Sequence, residues 1–367
     1  MPHDPETGQS TAAANLAEGE RLMTICNACR YCEGYCAVFP AMERRLTFTS
    51  GDLRYLANLC HNCAECYYAC QYAPPHEFAV NVPKVFAQIR ADSYRHYAWP
   101  SALATLFARG KFVQWILGMI AIGMSVGALG GPVFYDVIPH EDMVAIFLIV
   151  SAVILTAHVG GFLRFWKDAG ENVKRFFQLG ALVKAAGDAL ALVNLSSGGA
   201  GCAYPDQKHS QARRVYHHFT FYGFLLCFAS TTVAAIDHAL GYIAPHPYGS
   251  APVILGTLGG IGLLIGPIGL YFLKRKRDPA IADAAQDGSD KSFLALLFLT
   301  SITGLGLLAL RETSAMGMLL VIHLAVVLFL FLTLPYGKFV HGIYRSAALV
   351  KSALEGLDRR TTHGAVD

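Results

Sequence analysis

Charge is scarce in this chain: Asp, Glu, Lys and Arg make up 15% of its 367 residues, against about a quarter in an ordinary soluble domain. No dinucleotide-binding glycine fingerprint follows a strand pattern, and neither a Walker loop nor a nucleophile elbow occurs. The first 20 residues contain no apolar stretch, so residues 1–20 are expected to form a mobile tail rather than a signal peptide. These gaps argue against an organic-substrate active site on this chain. The hydrophobic share is 54%, with a mean hydropathy of +0.40. With a net charge of only +3, that balance argues against a disordered, nucleic-acid-binding or small secreted protein and for a membrane protein.

The apolar residues gather after residue 111 into six runs: 112–129, 143–162, 219–239, 253–273, 293–310 and 316–334. Each approaches the ~20 residues that a helix needs to cross about 30 Å of hydrocarbon. Lys and Arg fall on alternate connections. Segments 166–215 and 274–291 and the residues after 334 carry 7, 5 and 5 of them, whereas 131–142, 240–252 and 311–315 carry 0, 0 and 1. The positive-inside rule then puts both termini in the cytoplasm. Within the loop 166–215, residues 172–195 read as a further helix, lying either on the inner membrane surface or against the cysteine-rich segment.

That segment carries eight of the ten cysteines. Cys26, Cys29, Cys32 and Cys36 form C-x2-C-x2-C-x3-C, and Cys60, Cys63, Cys66 and Cys70 repeat it 34 residues later. The run is that of two-cluster ferredoxins, where the fourth cysteine ligates the other cluster. One [4Fe–4S] cluster is therefore assigned to Cys26, Cys29, Cys32 and Cys70, the other to Cys60, Cys63, Cys66 and Cys36. Zinc favours two C-x2–4-C pairs separated by a spacer, and disulfides do not suit a cytoplasmic segment. Residues 42–59 and 82–89 read as helices, which favours a helical ferredoxin module. Arg30, Arg44, Arg45 and Arg54 are candidates for a docking face, and Cys202 and Cys227 for free thiols.

Histidines occupy places where an ionisable group is costly. His217 and His218 open the third run, His238 closes it, His323 lies inside the sixth and His341 just past it. Neutral imidazole is a common ligand of haem iron. His323 and His341 are 18 residues apart, so a continuous helix would put them on one face, about 27 Å apart. His217 and His238 are about 60° from sharing a face, whereas His218 points about 160° from His238. Topology levels His217 with His341 on the inner side and His238 with His323 on the outer side. Two bis-histidine b haems, or one, follow from that arrangement. His158 is a candidate ligand or quinone contact, and His140 and His246 read as loop residues.

These runs, with His217-His218-Phe-Thr-Phe-Tyr-Gly-Phe, the glycines of 256–269, Leu310-Arg-Glu-Thr and Leu334-Pro-Tyr-Gly-Lys-Phe-Val-His341-Gly-Ile-Tyr-Arg345, resemble the citrate/tricarballylate-utilisation protein B family over about residues 21–350. The cysteine module also resembles those of heterodisulfide reductase and succinate dehydrogenase iron–sulfur subunits. The His323/His341 spacing is similar to that of the respiratory nitrate reductase gamma subunit, and Arg214-x-x-His217 is like the opening of haem helices in other b-type cytochromes.

The resemblance implies a protein of the bacterial inner membrane. It would take electrons from a separate FAD-dependent tricarballylate dehydrogenase and pass them to membrane quinone. The expected fold is all-α: a tail 1–20, a two-cluster ferredoxin-like domain 21–97, a connector 98–111, a six-helix membrane cytochrome domain 112–345 and a cytoplasmic tail 346–367. Two other readings remain open at this level, a quinol-oxidising subunit feeding a cytoplasmic heterodisulfide-type reductase and a redox-sensing membrane protein.

Overall fold

The computed structural model describes residues 5–108, 134–196, 199–242 and 244–363. It is almost wholly helical. The described strands, β1 (Cys202–Ala203) and β2 (His209–Ser210), form one small antiparallel hairpin. The expected apolar run 112–129 lies outside the described residues. The other five runs are helices long and apolar enough to cross a membrane.

The cysteine domain begins with α1 (Pro5–Cys29), α2 (Val38–Met42), α3 (Ser50–Leu59), α4 (Glu65–Tyr68) and α5 (Val82–Tyr97). Residues 5–20, expected as a tail, are part of α1, where Asn15 donates to Asp92 at 2.8 Å and Leu16 packs on the core. The helix expected over 42–59 starts only at Ser50. There the Thr49 hydroxyl accepts from Asp52 N and Asp52 accepts from Thr49 N, both at 3.1 Å, a capping box that fixes the start. Asn81 caps α5 by a single bond, its Oδ1 accepting from Lys84 N at 3.2 Å. Helix α6 (Ser101–Ala108) occupies most of the expected connector.

Beyond the short α7 (Phe134–Val137), the helices are α8 (His140–Asp168), α9 (Val173–Phe176), α10 (Leu179–Leu190), α11 (Ala212–Ala239), α12 (Ala251–Arg275), α13 (Asp287–Leu310), α14 (Met316–Thr333) and α15 (Val340–His363). The helices long and apolar enough to span are α8 and α11 to α14. Large apolar side chains such as Leu148, Ile149 and Leu155 stand outward on α8, more than 60% exposed, as a lipid-facing surface requires. Helices α11 and α12 approach closely because glycines line their contact. A Cβ on Gly259 would lie 2.7 Å from Cys227 N, and one on Gly223 2.9 Å from Gly259 O. Small residues of this kind let membrane helices pack backbone to backbone.

The last segment departs most from expectation. Residues 346–367 were expected as a tail, but α15 continues to His363 and is built into the cysteine domain. Tyr344, Ala347, Ala348, Leu349, Val350 and Leu354 are buried with Leu53, Tyr55, Leu56 and Phe86. Phe165 and Trp166, from the C-terminal end of α8, join the same core. Ion pairs reinforce it. Arg45 lies 2.6 Å from both Asp52 and Glu355, Lys351 is 3.1 Å from Glu171, and Arg54 is 3.0 Å from Asp168. Arg45 and Arg54 are thus internal struts rather than a docking face, whereas Arg30 and Arg44 stay exposed, Arg44 lying 3.2 Å from Glu355.

For 172–195, helix α10 packs against the cysteine-domain core. Ala181 and Ala185 are buried against α15, while Leu179 and Val183 on its other side are 73% and 63% exposed.

Candidate functional site

The two cysteine runs interleave in space. Cys26 interacts with Cys32, Cys70 and Cys29, so the last cysteine of the second run joins the first three of the first. These four, with Cys66 at their edge, line a cavity of about 240 Å³. A smaller adjoining cavity is lined by Cys36, Cys60, Cys63 and Cys66. Among the described residues, no three His, Cys, Asp or Glu side chains converge as the ligands of a single metal ion would. Thiols spread around a cavity instead suit the larger body of an iron–sulfur cluster better than one tetrahedral zinc. Burial, then the neighbouring thiols, push Cys26 and Cys32 up to about 12. That crowding of soft donors calls for a cationic centre between them.

The two sets differ in depth. Cys29 is exposed and Tyr31 beside it is 66% exposed, whereas Cys60 and Cys63 are buried. Cys202, read as a free thiol, is buried with its Sγ donating to Leu195 O at 3.1 Å, and it lies against Cys63. Its separation from the motif, more than 130 residues along the chain, hides that proximity from the sequence.

Behind the deeper set lie His217 and His341. His217 on α11 faces His341 at the start of α15, with ring centroids 6.4 Å apart and planes at 75°. Two metal–imidazole bonds of about 2 Å, plus about 1 Å from each nitrogen to its ring centre, give about 6 Å for rings on either side of one metal. His341 Nδ1 lies 2.6 Å from Lys338 O, which can only accept, so Nδ1 carries the proton and Nε2 is left as a ligand. Burial, then Arg345 and Lys338, hold His341 well below its ordinary value, in the neutral form that ligation needs. His217 Nδ1 is shielded from solvent with no hydrogen-bond partner. His218 instead stacks on Tyr222 at 5.6 Å, away from this pair.

The helix carrying His323 does not continue to His341. It stops at Thr333, where Pro335 cannot donate and Gly337 N turns back to Thr333 O at 2.7 Å. A face count across 323–341 therefore fails, although His341 still reaches His217.

His238 and His323 are held separately. His238 stacks on His140 with ring centroids 3.5 Å apart, so His140, expected as an ordinary loop residue, touches a candidate ligand. His323 Nδ1 lies 3.0 Å from Thr303 Oγ1. Because that hydroxyl gives its one proton to Leu299 O at 2.7 Å, it accepts from Nδ1–H and leaves Nε2 of His323 available. A Cβ at Gly304 would lie 2.9 Å from His323 Cε1, so glycine there admits the ring against α13. His158 packs on Phe339, 5.9 Å between rings.

The junction between the deeper cysteines and His217/His341 is cationic. Arg90 donates to Ala57 O and Cys60 O, Arg345 to Cys60 O, and Arg213 to Asn62 O, all at 2.8–2.9 Å. Burial, then Arg90, pushes Arg345 down to about 10. His61 is enclosed by the same three arginines.

The sequence matches the family described as Citrate utilization protein B over residues 102–363, and the Citrate utilization protein B Fer4-like domain over residues 19–96. The chain belongs to the citrate utilization protein B family. A protein of Escherichia coli named Citrate utilization protein B is 49% identical over 352 residues, covering 92% of each chain. No solved structure matches. As a member of this family, the chain joins an N-terminal Fer4-like domain to helices able to cross a membrane.

Proposed function

We propose that this family member is an electron-transfer protein of the bacterial inner membrane. It receives electrons from a reduced FAD-dependent tricarballylate (citrate-like acid) dehydrogenase and delivers them to membrane quinone. Both termini and the cysteine domain face the cytoplasm, on the side of the basic connections. The observation that carries the reading is the order of the sites: Cys29 and its set at the surface, the Cys36/Cys60/Cys63/Cys66 set behind it, and His217 facing His341 behind that.

Two [4Fe–4S] clusters and b haem, when bound, supply one-electron carriers along that order. Cys26, Cys29, Cys32 and Cys70 would hold the outer cluster, and Cys36, Cys60, Cys63 and Cys66 the inner one. His217 and His341 would hold the inner haem, and His238 with His323 a second at the outer level. Thr303 and Lys338 O orient two of those imidazoles. The Arg54–Asp168 and Lys351–Glu171 pairs tie the cysteine domain to the C-terminal end of α8, and Arg45–Glu355 ties α15 into that domain.

The test mixes membranes carrying the protein with the flavoprotein, tricarballylate and a quinone analogue. Quinone reduction is expected only with both proteins present. Acid oxidation by this chain alone, or flavin reoxidation no faster in its presence, would overturn the proposal.

A further inference from the structure

Arg213 stands one helical turn before His217 on α11, and Arg345 one turn after His341 on α15. Residues four apart share a helix face, so each candidate ligand has an arginine beside it, on the side toward the cysteine domain. The two ligands face each other. Arg345 donates to Cys60 O at 2.9 Å and Arg213 to Asn62 O at 2.8 Å, so both guanidinium groups lie beside the 60–62 backbone, between the His217/His341 pair and the deeper cysteines.

Arg90, 6% exposed, stands behind them. Among the described residues, no carboxylate pairs with any of these three arginines, although the chain's other enclosed cations, Arg45, Lys274, Lys338 and Lys351, all have acidic partners. Positive charge enclosed without a counter-ion is costly. A further unfilled group lies beside them: the Tyr94 hydroxyl, near Arg90 and Arg345, is shielded from solvent and has no partner. Three guanidinium groups without a carboxylate partner among the described residues, next to two imidazoles set at metal-bridging distance, fit a carboxylate ligand.

We infer that Arg213 and Arg345, backed by Arg90 and Tyr94, receive the propionate carboxylates of the haem held between His217 and His341. This rests on the haem reading of the proposed function. The guanidinium fork suits a carboxylate in bidentate geometry. Arg214, the basic residue that the sequence pattern singles out, turns away and donates to Ala191 O at 2.7 Å. Propionates seated there would orient the macrocycle with its acidic edge toward the deeper cysteine set. A free organic acid offers the same carboxylate chemistry and is the competing source.

The test uses the purified holoprotein in detergent and reads haem content, iron content and the haem midpoint potentials by optical redox titration, with and without added citrate. Relative to wild type, R213Q and R345Q should each shift one haem potential downward, because positive charge beside the propionates is lost, while iron content stays constant. R345K, which keeps the charge, should retain most of the wild-type potential, and R214Q should show no shift. Citrate should leave the wild-type potential unmoved. If Arg345→Gln does not fold, Arg213→Gln and Arg345→Lys still decide the matter. Haem present with unchanged potentials in both R213Q and R345Q would overturn the inference alone. A wild-type potential that moves with citrate would assign the site to a free acid and also overturn it. Absence of haem from the wild-type protein would overturn the reading on which it rests.

Discussion

Replacing Leu354 by alanine asks whether the last helix is part of the folded core. Leu354 is 0% exposed and shares a core with Tyr55, Leu56 and Trp166. Burying a leucine side chain is worth about 1.5–3 kcal/mol, and the cavity left by Leu→Ala raises the loss to about 2–5 kcal/mol. Taking about 3 kcal/mol, and about 2–4 °C per kcal/mol for a domain of 150–250 residues, the midpoint should fall by roughly 6–12 °C. The assay follows loss of the visible absorption of cysteine-bound iron on anaerobic heating. One fixed scan rate is used, because release of iron makes the transition irreversible. Leu179→Ala is the control, since Leu179 is 73% exposed on the outer side of α10. Equal midpoints for the two variants would refute the reasoning and return residues 346–363 to the status of a tail.

Gly259→Leu should block assembly of α11 on α12 and reduce the protein recovered from membranes, whereas Gly306→Leu, with open space around it, should be recovered normally. Cys63→Ser should lower the iron bound in clusters by roughly half, while Cys202→Ser should leave it unchanged, as metal analysis would show. Thr303→Val removes the acceptor for His323 Nδ1–H. Loss of such an outer partner typically weakens metal binding about 10–100-fold, so one low-spin haem signal should diminish in EPR while the cluster signals persist.

The sequence makes the long apolar helices plain because lipid demands long apolar runs, and all five described here start and end within seven residues of those runs. The interleaving of the two cysteine sets is also visible, since the exact duplication allows it and the known habit of the fourth cysteine suggests it. Helix α15 is harder to see. Ile343, Ala347, Val350, Leu354 and Leu357 recur every three or four residues, which is the mark of a packed helix face. Its position after the last span conceals which surface it covers.

Ion pairs such as Arg45–Glu355, 310 residues apart, leave no local trace. The break between α14 and α15 was foreshadowed by Pro335, but Pro335 alone does not say that the chain stops being helical rather than bends. The partner of His238 is equally hidden, because His140 belongs to a different span and only folding brings the rings to 3.5 Å.

The central claim is that electrons pass through the cysteine-bound clusters on their way to haem. Anaerobic rapid mixing of the holoprotein with the reduced dehydrogenase, watched in the haem absorption bands, tests it most directly. In wild type the haem should be reduced and then reoxidised when a quinone analogue is added, and Cys63→Ser, with its haem retained, should be reduced far more slowly. Haem reduction equally fast in Cys63→Ser would contradict the account, as would a wild-type protein without haem bands.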